Sequence, residues 1–328
     1  MKKLLLLHTG GTISMHADTE SAAVMTSEKN PLSAELDKLA ALAEIEELEV
    51  FNLPSPHITP QHMLELKSII EQKLATSHFD GVVITHGTDT LEETAYFLDL
   101  TLQTDTPIVL TGAMRSSNEL GADGVYNLLT ASRVALHKQA NAKGVLVVLN
   151  DEIHTAEGVT KTHTSNVSTF QSPSYGPIGH ITKKIIHFHH TPLRTPSLPI
   201  ATLEKRVGLL KVYAGMEPEI IEAIFNTGYD GIVLEGLGQG NIPPALVPEI
   251  EKLQHRGIPV VLVSRCFNGI ALDVYGYAGG GRDLKNRGVH FAHGLNGQKA
   301  RLALLAALHQ DDVDKALFNF FQSPFEED

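Results

Sequence analysis

Two short segments of the sequence combine glycine with hydroxyl-bearing residues in a way that suits hydrolytic chemistry. The segments are His8–Ile13 (HTGGTI) and His86–Thr90 (HGTDT), and each directly follows an apolar run. Glycine lets the backbone turn sharply and approach a ligand closely. A threonine hydroxyl at such a turn, here Thr12, can act as a nucleophile if a base activates it. The alternative is a tight turn whose threonines only cap the backbone.

The second segment places Thr88 and Asp89 immediately before an amphipathic stretch that has Glu92 and Glu93 in its first turn. A helix N-terminus supplies backbone N–H donors that can stabilise a developing oxyanion. A hydroxyl and a carboxylate would project beside those donors. The competing interpretation is that Asp89 simply caps the helix.

A third candidate is Lys161, which lies in the threonine-rich segment Gly158–His163 (GVTKTH). A lysine in a polar loop is usually a solvated charge. If Lys161 lay partly buried beside Thr88 and Asp89, its amine could act as a base toward a hydroxyl. Ser55 supplies a further hydroxyl after an apolar run.

Two further segments complete the set of candidates. Thr111–Arg115 (TGAMR) follows another apolar run, and alone it consists of loop and cap residues. Residues 14–30 are polar and lack periodicity, so we expect a loop that could close over a site.

The elements that must position these residues are short apolar runs that alternate with amphipathic stretches. The predicted strands are Lys3–His8, Leu48–Leu53, Gly81–Thr85, Pro107–Leu110, Gly144–Leu149, Val207–Tyr213, Gly231–Leu234 and Pro259–Val263. Bare apolar runs are typical of strands covered on both faces, and hence of a parallel sheet between layers of helices.

Amphipathic stretches between these strands predict one helix that begins at Pro60, with Thr59 as its N-cap, and another that opens at Asp89 or Thr90. Further helices are predicted over 123–137, 297–309 and 312–321. The alternation predicts an α/β fold with a doubly wound, mostly parallel sheet. In such a fold, ligands bind at the carboxyl ends of strands, where all of the candidate residues lie.

The proline-rich segment Thr191–Thr202 (TPLRTPSLPIAT) carries almost no charge and is typical of a linker. We therefore expect a larger N-terminal domain at residues 1–190, which carries the catalytic residues. A linker at 191–206 would lead to a smaller α/β domain at 207–328. A length of 328 residues is consistent with two domains.

Composition excludes several classes of protein. The chain has 26 Lys+Arg against 38 Asp+Glu, a formal charge of −12, which argues against binding to nucleic acid. A single cysteine excludes an internal disulfide and a multi-thiolate zinc site. No apolar run approaches the ~18 residues of a membrane span. The leucine run after Met1-Lys2-Lys3 is shorter than a signal-peptide core and predicts a strand, and hence a cytoplasmic protein.

Taken together and in this order, the motifs closely resemble the bacterial-type L-asparaginase/glutaminase family. The matching segments run from residue 9 to residue 301 and are Thr9–Ile13, Val83–Thr90, Thr111–Arg115, Ala122–Gly124, Val159–Thr162, Gly238–Asn241 and Gln298–Arg301. The resemblance implies a homotetramer built as a dimer of dimers. It also implies hydrolysis of L-asparagine to L-aspartate and ammonia, with no cofactor and no metal.

The resemblance implies a role for each of the candidate residues. Thr12 matches the family's nucleophile, and Thr88, Asp89 and Lys161 match its second catalytic cluster. Asp89 would hold the α-amino group of the substrate, and Ser55 would help to hold the α-carboxylate.

Asn241 matches a residue that approaches the active site of the neighbouring subunit in the family. The glutamate that some members lend across this interface has no clear counterpart near Asp273–Gly281.

The sequence departs from the family in two further places. Many members carry a tyrosine in the loop after TGGTI, but no tyrosine precedes Tyr96 here. Either Lys161 would act through Thr88, or a tyrosine from elsewhere in the chain would substitute. The family's G-S-Q-D segment is Pro54–His57 (PSPH) in this chain. The missing Gln and Asp predict weak or no glutaminase activity.

Two other functions remain open on the sequence alone. The amidase-like subunit of a tRNA-dependent amidotransferase would need a basic surface for RNA, which the charge of −12 disfavours. A sensor that binds an amino acid without turnover is compatible with the absence of the loop tyrosine. Steady-state release of ammonia from asparagine would separate this sensor from an enzyme.

Overall fold

A computed structural model describes residues 1–17, 24–26, 32 and 39–321. The chain forms two compact units, residues 1–197 and 198–328. The boundary between them falls inside the proline-rich segment, and residues 189–206 contain no helix or strand.

The central strands of the first unit coincide with buried apolar runs of the sequence. Its strands are β1 (Lys3–Gly10), β2 (Met15–Ala17), β3 (Val24–Thr26), β4 (Glu44–Leu53), β5 (Gly81–Thr85), β6 (Ile108–Thr111), β7 (Val145–Leu149), β8 (Glu152–Thr155), β9 (Thr160–Lys161), β10 (Phe170–Gln171), β11 (Gly179–Ile181) and β12 (Ile186–Phe188).

Eight of these strands form one sheet in the order β12-β11-β8-β7-β6-β5-β1-β4. The run from β4 to β7 is parallel throughout, and β8, β11 and β12 extend it antiparallel. The prediction of a mostly parallel sheet is confirmed. The antiparallel extension was not predicted, because its strands are only three or four residues long.

Among the described elements, helices α1 (Pro60–Thr76), α2 (Leu91–Thr101) and α3 (Gly124–Ala135) lie between parallel strands. The first begins at Pro60 with Thr59 as its N-cap, as predicted, and a capping box pairs Thr59 with His62. The third packs against β5, β6 and β7.

Strand β1 shows why the apolar runs predict a sheet that is covered on both faces. Its residues Leu4–Leu7 are all fully buried. Leu4 and Leu6 pack in a core with Leu128 and Ala131 of α3, so Leu5 and Leu7 face the opposite layer. Strand β4, at the edge of the sheet, begins four residues before its predicted start at Leu48. An edge strand tolerates its exposed glutamates.

The second unit is a smaller α/β layer structure. Its strands β13 (Val207–Lys211), β14 (Gly231–Gly236), β15 (Val260–Ser264) and β16 (His290–Phe291) form a parallel sheet in chain order. Its helices are α4 (Glu219–Asn226), α5 (Val247–His255), α6 (Gly281–Asn286), α7 (Gly297–Ala307) and α8 (Val313–Phe321). The last two were predicted, whereas α4 to α6 were not.

The helices of the described residues are all too short or too polar to cross a membrane. Within the same residues, histidine, cysteine and acidic side chains do not converge as a group of three that could hold a metal ion.

Candidate active site

Apart from Lys161, the candidate residues of the first unit follow the carboxyl ends of four adjacent parallel strands, β4, β1, β5 and β6. Thr12 opens a short 3₁₀ turn (Thr12–Ser14) after β1, and Ser55 opens another (Ser55–His57) after β4. Thr88 and Asp89 follow β5. Because neighbouring parallel strands end at the same edge of the sheet, the turns that carry these residues lie next to one another.

Two glycines bring these turns into close contact. Gly11 has a φ of +84°, and a Cβ placed on it would lie 2.2 Å from the Cα of Gly87. A Cβ on Gly87 would in turn lie 2.7 Å from the Cβ of Ser55. Only glycine permits this approach. Gly11, the residue before Thr12, therefore contacts the loop that carries Thr88.

Lys161 joins this group from a distant part of the chain. It lies on the two-residue strand β9, paired with Phe170, and its side chain is 16% exposed. Its ammonium donates to the hydroxyl of Thr88 at 2.9 Å and to a carboxylate oxygen of Asp89 at 2.7 Å. The interpretation of Lys161 as a freely solvated charge is therefore wrong.

The interpretation of Asp89 as a helix cap is also wrong. The cap position of α2 is Thr90, whose side chain makes no capping bond. Instead, the hydroxyl of Thr90 donates to the carbonyl of Ser55 at 2.8 Å. The carboxylate of Asp89 contacts Lys161, and the Asp89 side chain is 58% exposed, so it can reach a ligand.

Ser55 is tied to the same loop by its side chain. Its buried hydroxyl accepts a hydrogen bond from the backbone N–H of Asp89 at 3.2 Å. A hydroxyl that accepts one bond can still donate its own proton. Ser55 is thus suited to donate to a carboxylate that lies next to Asp89.

The loop after β6 is held by the side chains of Asp123 and Asn127. The carboxylate of Asp123 accepts from the backbone N–H groups of Met114 and Arg115. The amide of Asn127 donates to the carbonyl of Gly112 and to Asp123. The ADG segment that precedes α3 therefore shapes the TGAMR loop. The spacing of these residues in the sequence could not predict these hydrogen bonds, because they join the start of α3 to a separate loop.

Both ring nitrogens of His86 make hydrogen bonds that stabilise the HGTDT turn. Its Nδ1 lies 2.8 Å from the carbonyl of Gly87 and its Nε2 lies 2.9 Å from the hydroxyl of Thr94. A carbonyl only accepts, which assigns the proton to Nδ1 and makes Nε2 the acceptor from Thr94. Burial lowers the pKa of His86 from 6.5 to about 4, although the Gly87 bond opposes the shift. The ring is therefore neutral near pH 7.

This burial predicts an acid-sensitive fold. Because the folded pKa lies below the unfolded value, the unfolded chain binds the proton first, and stability is lost as pH falls from about 6.5 toward 4. Between pH 7 and pH 5, His86 should remove about 2 kcal/mol from the free energy of unfolding. Urea unfolding of a His86→Gln variant should show a correspondingly shallower pH dependence. The exposed His78→Gln control should keep the wild-type slope, and equal slopes for all three proteins would contradict the assignment.

The segment predicted as a loop at residues 14–30 contains a paired element. Strands β2 and β3 run antiparallel, with Met15 opposite Thr26. The remainder of that prediction, at residues 18–23 and 27–30, lies outside the described residues.

Asn241 lies in the second unit, in a tight turn after β14. Its backbone N–H donates to the carbonyl of Leu237, and its carbonyl accepts from the N–H of Leu237. The glycines on either side of Gln239 have positive φ angles of +53° and +101°, which this turn requires.

Comparisons with known proteins agree over nearly the whole chain. Residues 3–194 match the family model described as "Asparaginase, N-terminal", and residues 206–321 match the "Glutaminase/Asparaginase C-terminal domain". A protein of Deinococcus radiodurans named "Probable L-asparaginase" is 44% identical over 94% of this chain and 94% of its own.

Other relatives carry related names. A "Glutaminase-asparaginase" of Pseudomonas aeruginosa is 32% identical over 98% of this chain and 90% of its own length. The crystal structure of a "Probable Cytoplasmic L-asparaginase" from Campylobacter jejuni has a TM-score of 0.86 and 34% identity. That match covers 98% of this chain and 100% of the other.

Proposed function

The chain belongs to the bacterial L-asparaginase/glutaminase family, and we propose that it hydrolyses L-asparagine to L-aspartate and ammonia with Thr12 as the nucleophile. Membership makes the protein an amidohydrolase. The observation that carries the proposal is the contact of Lys161 with both Thr88 and Asp89, beside the Gly11–Gly87 contact. A hydroxyl, an amine and a carboxylate thus lie next to the turn that carries Thr12.

The proposed reaction has two steps. In the first, the oxygen of Thr12 attacks the side-chain amide carbon, and the threonine proton leaves through neighbouring groups to the departing nitrogen. Ammonia departs and an aspartyl ester remains on Thr12. In the second, water attacks the ester carbon, and aspartate and the free hydroxyl are released. Two steps replace one difficult attack of water on an amide.

Thr88 and Lys161 supply the proton path in this proposal. The Lys161 Nζ lies 2.9 Å from the Thr88 hydroxyl, which is within reach for proton transfer. Thr88 is buried, so bulk water does not compete for this contact. The tyrosine that many family members use is not required for this path, because it runs through Thr88.

Asp89 and Ser55 fit the two charges of an amino acid. The Asp89 carboxylate would pair with the substrate's α-ammonium, and the Ser55 hydroxyl would donate to its α-carboxylate. A hydrogen bond of 3.2 Å from the backbone N–H of Asp89 to the hydroxyl of Ser55 holds the two residues next to each other. Fixing both charges orients the side-chain amide toward Thr12, which is how binding energy lowers the barrier.

Selectivity for asparagine over glutamine is proposed from the segment Pro54–His57. The sequence lacks the Gln and Asp that follow the serine in the family pattern. Two substrates that differ by one methylene group typically differ about 10–200-fold in kcat/KM at a discriminating site. We expect asparagine to exceed glutamine by a factor at the upper end of this range.

The experiment is a side-by-side assay of ammonia release from asparagine and glutamine, combined with calorimetric binding of both amino acids. Turnover of asparagine with poor turnover of glutamine supports the proposal. A higher kcat/KM for glutamine contradicts the selectivity. Binding of asparagine without release of ammonia contradicts the enzymatic function and favours a sensor.

The remaining features are proposed from family membership. We propose a homotetramer arranged as a dimer of dimers, in which Asn241 of a neighbouring copy approaches the substrate. The reaction is proposed to need no cofactor. A cytoplasmic location is proposed from the name of the Campylobacter jejuni protein, whereas a relative from Haemophilus influenzae is named periplasmic.

A further inference from the structure

A buried histidine of β1 links the three strands that carry the proposed catalytic and binding residues. The Nδ1 of His8 lies 2.7 Å from the hydroxyl of Thr85 on β5. Its Nε2 lies 3.0 Å from a carboxylate oxygen of Glu47 on β4. His8 is 1% exposed and Thr85 is fully buried. These three residues, called the relay below, have no part in the proposed chemistry.

We propose that the relay is a positioning device that sets the distance between the Thr12 turn and the Thr88 loop, and thereby controls kcat. The inference deepens the proposed function and rests on it. His8, Glu47 and Thr85 act as positioning residues, since none of them is expected to touch the substrate.

The hydrogen bonds of the relay have one consistent direction. A carboxylate only accepts, so Nε2 of His8 carries the proton and donates to Glu47. Burial lowers the pKa of His8 below 6.5, while Glu47 and Glu49 on β4 oppose the shift. The ring is then neutral near pH 7, and its Nδ1 accepts from the Thr85 hydroxyl. The Thr85 hydroxyl thus donates to His8, and His8 donates to Glu47, which restricts the rotamers of Thr85 and His8.

The relay sits where backbone pairing of β1 and β5 stops. His8 and Thr85 are the last register pair of the two strands. The hydroxyl of Thr9 adds a second link by donating to the carbonyl of Thr85 at 3.0 Å. Beyond this point the chain continues directly to the close approach of Gly11 and Gly87.

The same place is irregular on the β4 side. The register of β1 with β4 shifts between His8, opposite Glu49, and Gly10, opposite Leu53. The backbone ladder between β1 and β4 is therefore interrupted at this point and resumes at Gly10, and the N–H of Gly11 donates to the carbonyl of Leu53 at 3.1 Å. Side-chain bonds through His8 add a link between the strands beside this interruption. A displacement of about 1 Å at reacting groups can cost about 100-fold in rate.

The matched pair Thr85→Val and Thr85→Ser tests the relay. Valine keeps the shape and removes the hydroxyl, whereas serine keeps the hydroxyl. We expect Thr85→Val to lower kcat on asparagine about 10–100-fold with KM within about threefold of wild type. Thr85→Ser should stay within about threefold in kcat. Equal kcat values for wild type and Thr85→Val, or a rise in KM alone, would overturn the proposal.

Glu47→Gln provides a second readout that a merely structural role would not move. Glutamine keeps an acceptor oxygen but removes the charge that favours protonated His8. The ¹⁵N signals of His8, assigned with a His8→Gln sample, should show a proton on Nε2 in wild type. The pH at which His8 protonates should fall in Glu47→Gln. A wild-type proton on Nδ1, or no shift in Glu47→Gln, would overturn the proposal even if the Thr85 variants fail to fold.

Different results would contradict the proposed function and the role of the relay. Wild-type protein that releases no ammonia from asparagine contradicts the proposed function. Active wild-type protein whose Thr85→Val variant is equally active contradicts only the relay.

Discussion

Replacing Thr12 with alanine is expected to lower kcat for ammonia release from asparagine by about 10⁴–10⁶-fold, the usual cost of deleting a nucleophile. The reason is that no ester can form without the Thr12 oxygen. Binding should persist, because Asp89 and Ser55 hold the charged groups of the amino acid. The measurement is coupled detection of ammonia, with calorimetry of asparagine on the same sample.

A matched control for this variant is Thr76→Ala. Thr76 is the exposed last residue of α1, and its hydroxyl donates only to backbone carbonyls of its own helix. The control should retain wild-type activity. A correctly folded Thr12→Ala protein that keeps more than a small fraction of the rate would rule out Thr12 as the nucleophile.

The second large effect is expected from Lys161→Met, which should reduce kcat by about 10²–10⁴-fold. Methionine has a similar length but cannot take or give a proton, so the Thr88 hydroxyl loses its partner at 2.9 Å. Thr88→Val should cost a comparable factor. The double variant should lose little more than either single variant, because the two residues act as one unit.

Lys183→Met is the control for loss of charge, because Lys183 is an exposed lysine of the same unit. It should leave kcat unchanged. Additive losses in the Lys161→Met, Thr88→Val double variant would show that the two residues act independently. That result would contradict the proposed proton path.

Local patterns account for the part of the fold that the sequence predicted. Strand β1 contains a run of four leucines that are buried on both faces of the sheet. Helix α1 begins at Pro60, directly after its N-cap Thr59. Such elements are determined by neighbours in sequence, so composition and periodicity identify them. The placement of Thr12, Thr88 and Ser55 at one sheet edge then follows from parallel topology.

What the sequence could not predict depends on contacts between distant segments. Lys161 lies on a strand of two residues, which leaves no periodic signal, and it reaches Thr88 from 73 positions away. Glu47, His8 and Thr85 meet only because three strands align in one register. The antiparallel strands β8, β11 and β12 are likewise too short for a pattern to identify them.

In the proposed mechanism, the oxygen of Thr12 forms an ester with the substrate. Rapid acid quenching during steady-state turnover, followed by peptide mass mapping, would detect this ester. We expect an added aspartyl group on Thr12, within the peptide that contains Gly10-Gly11, and no such group in Thr12→Ala. An aspartyl group on Thr88 instead, or sustained turnover with every peptide unmodified, would contradict it.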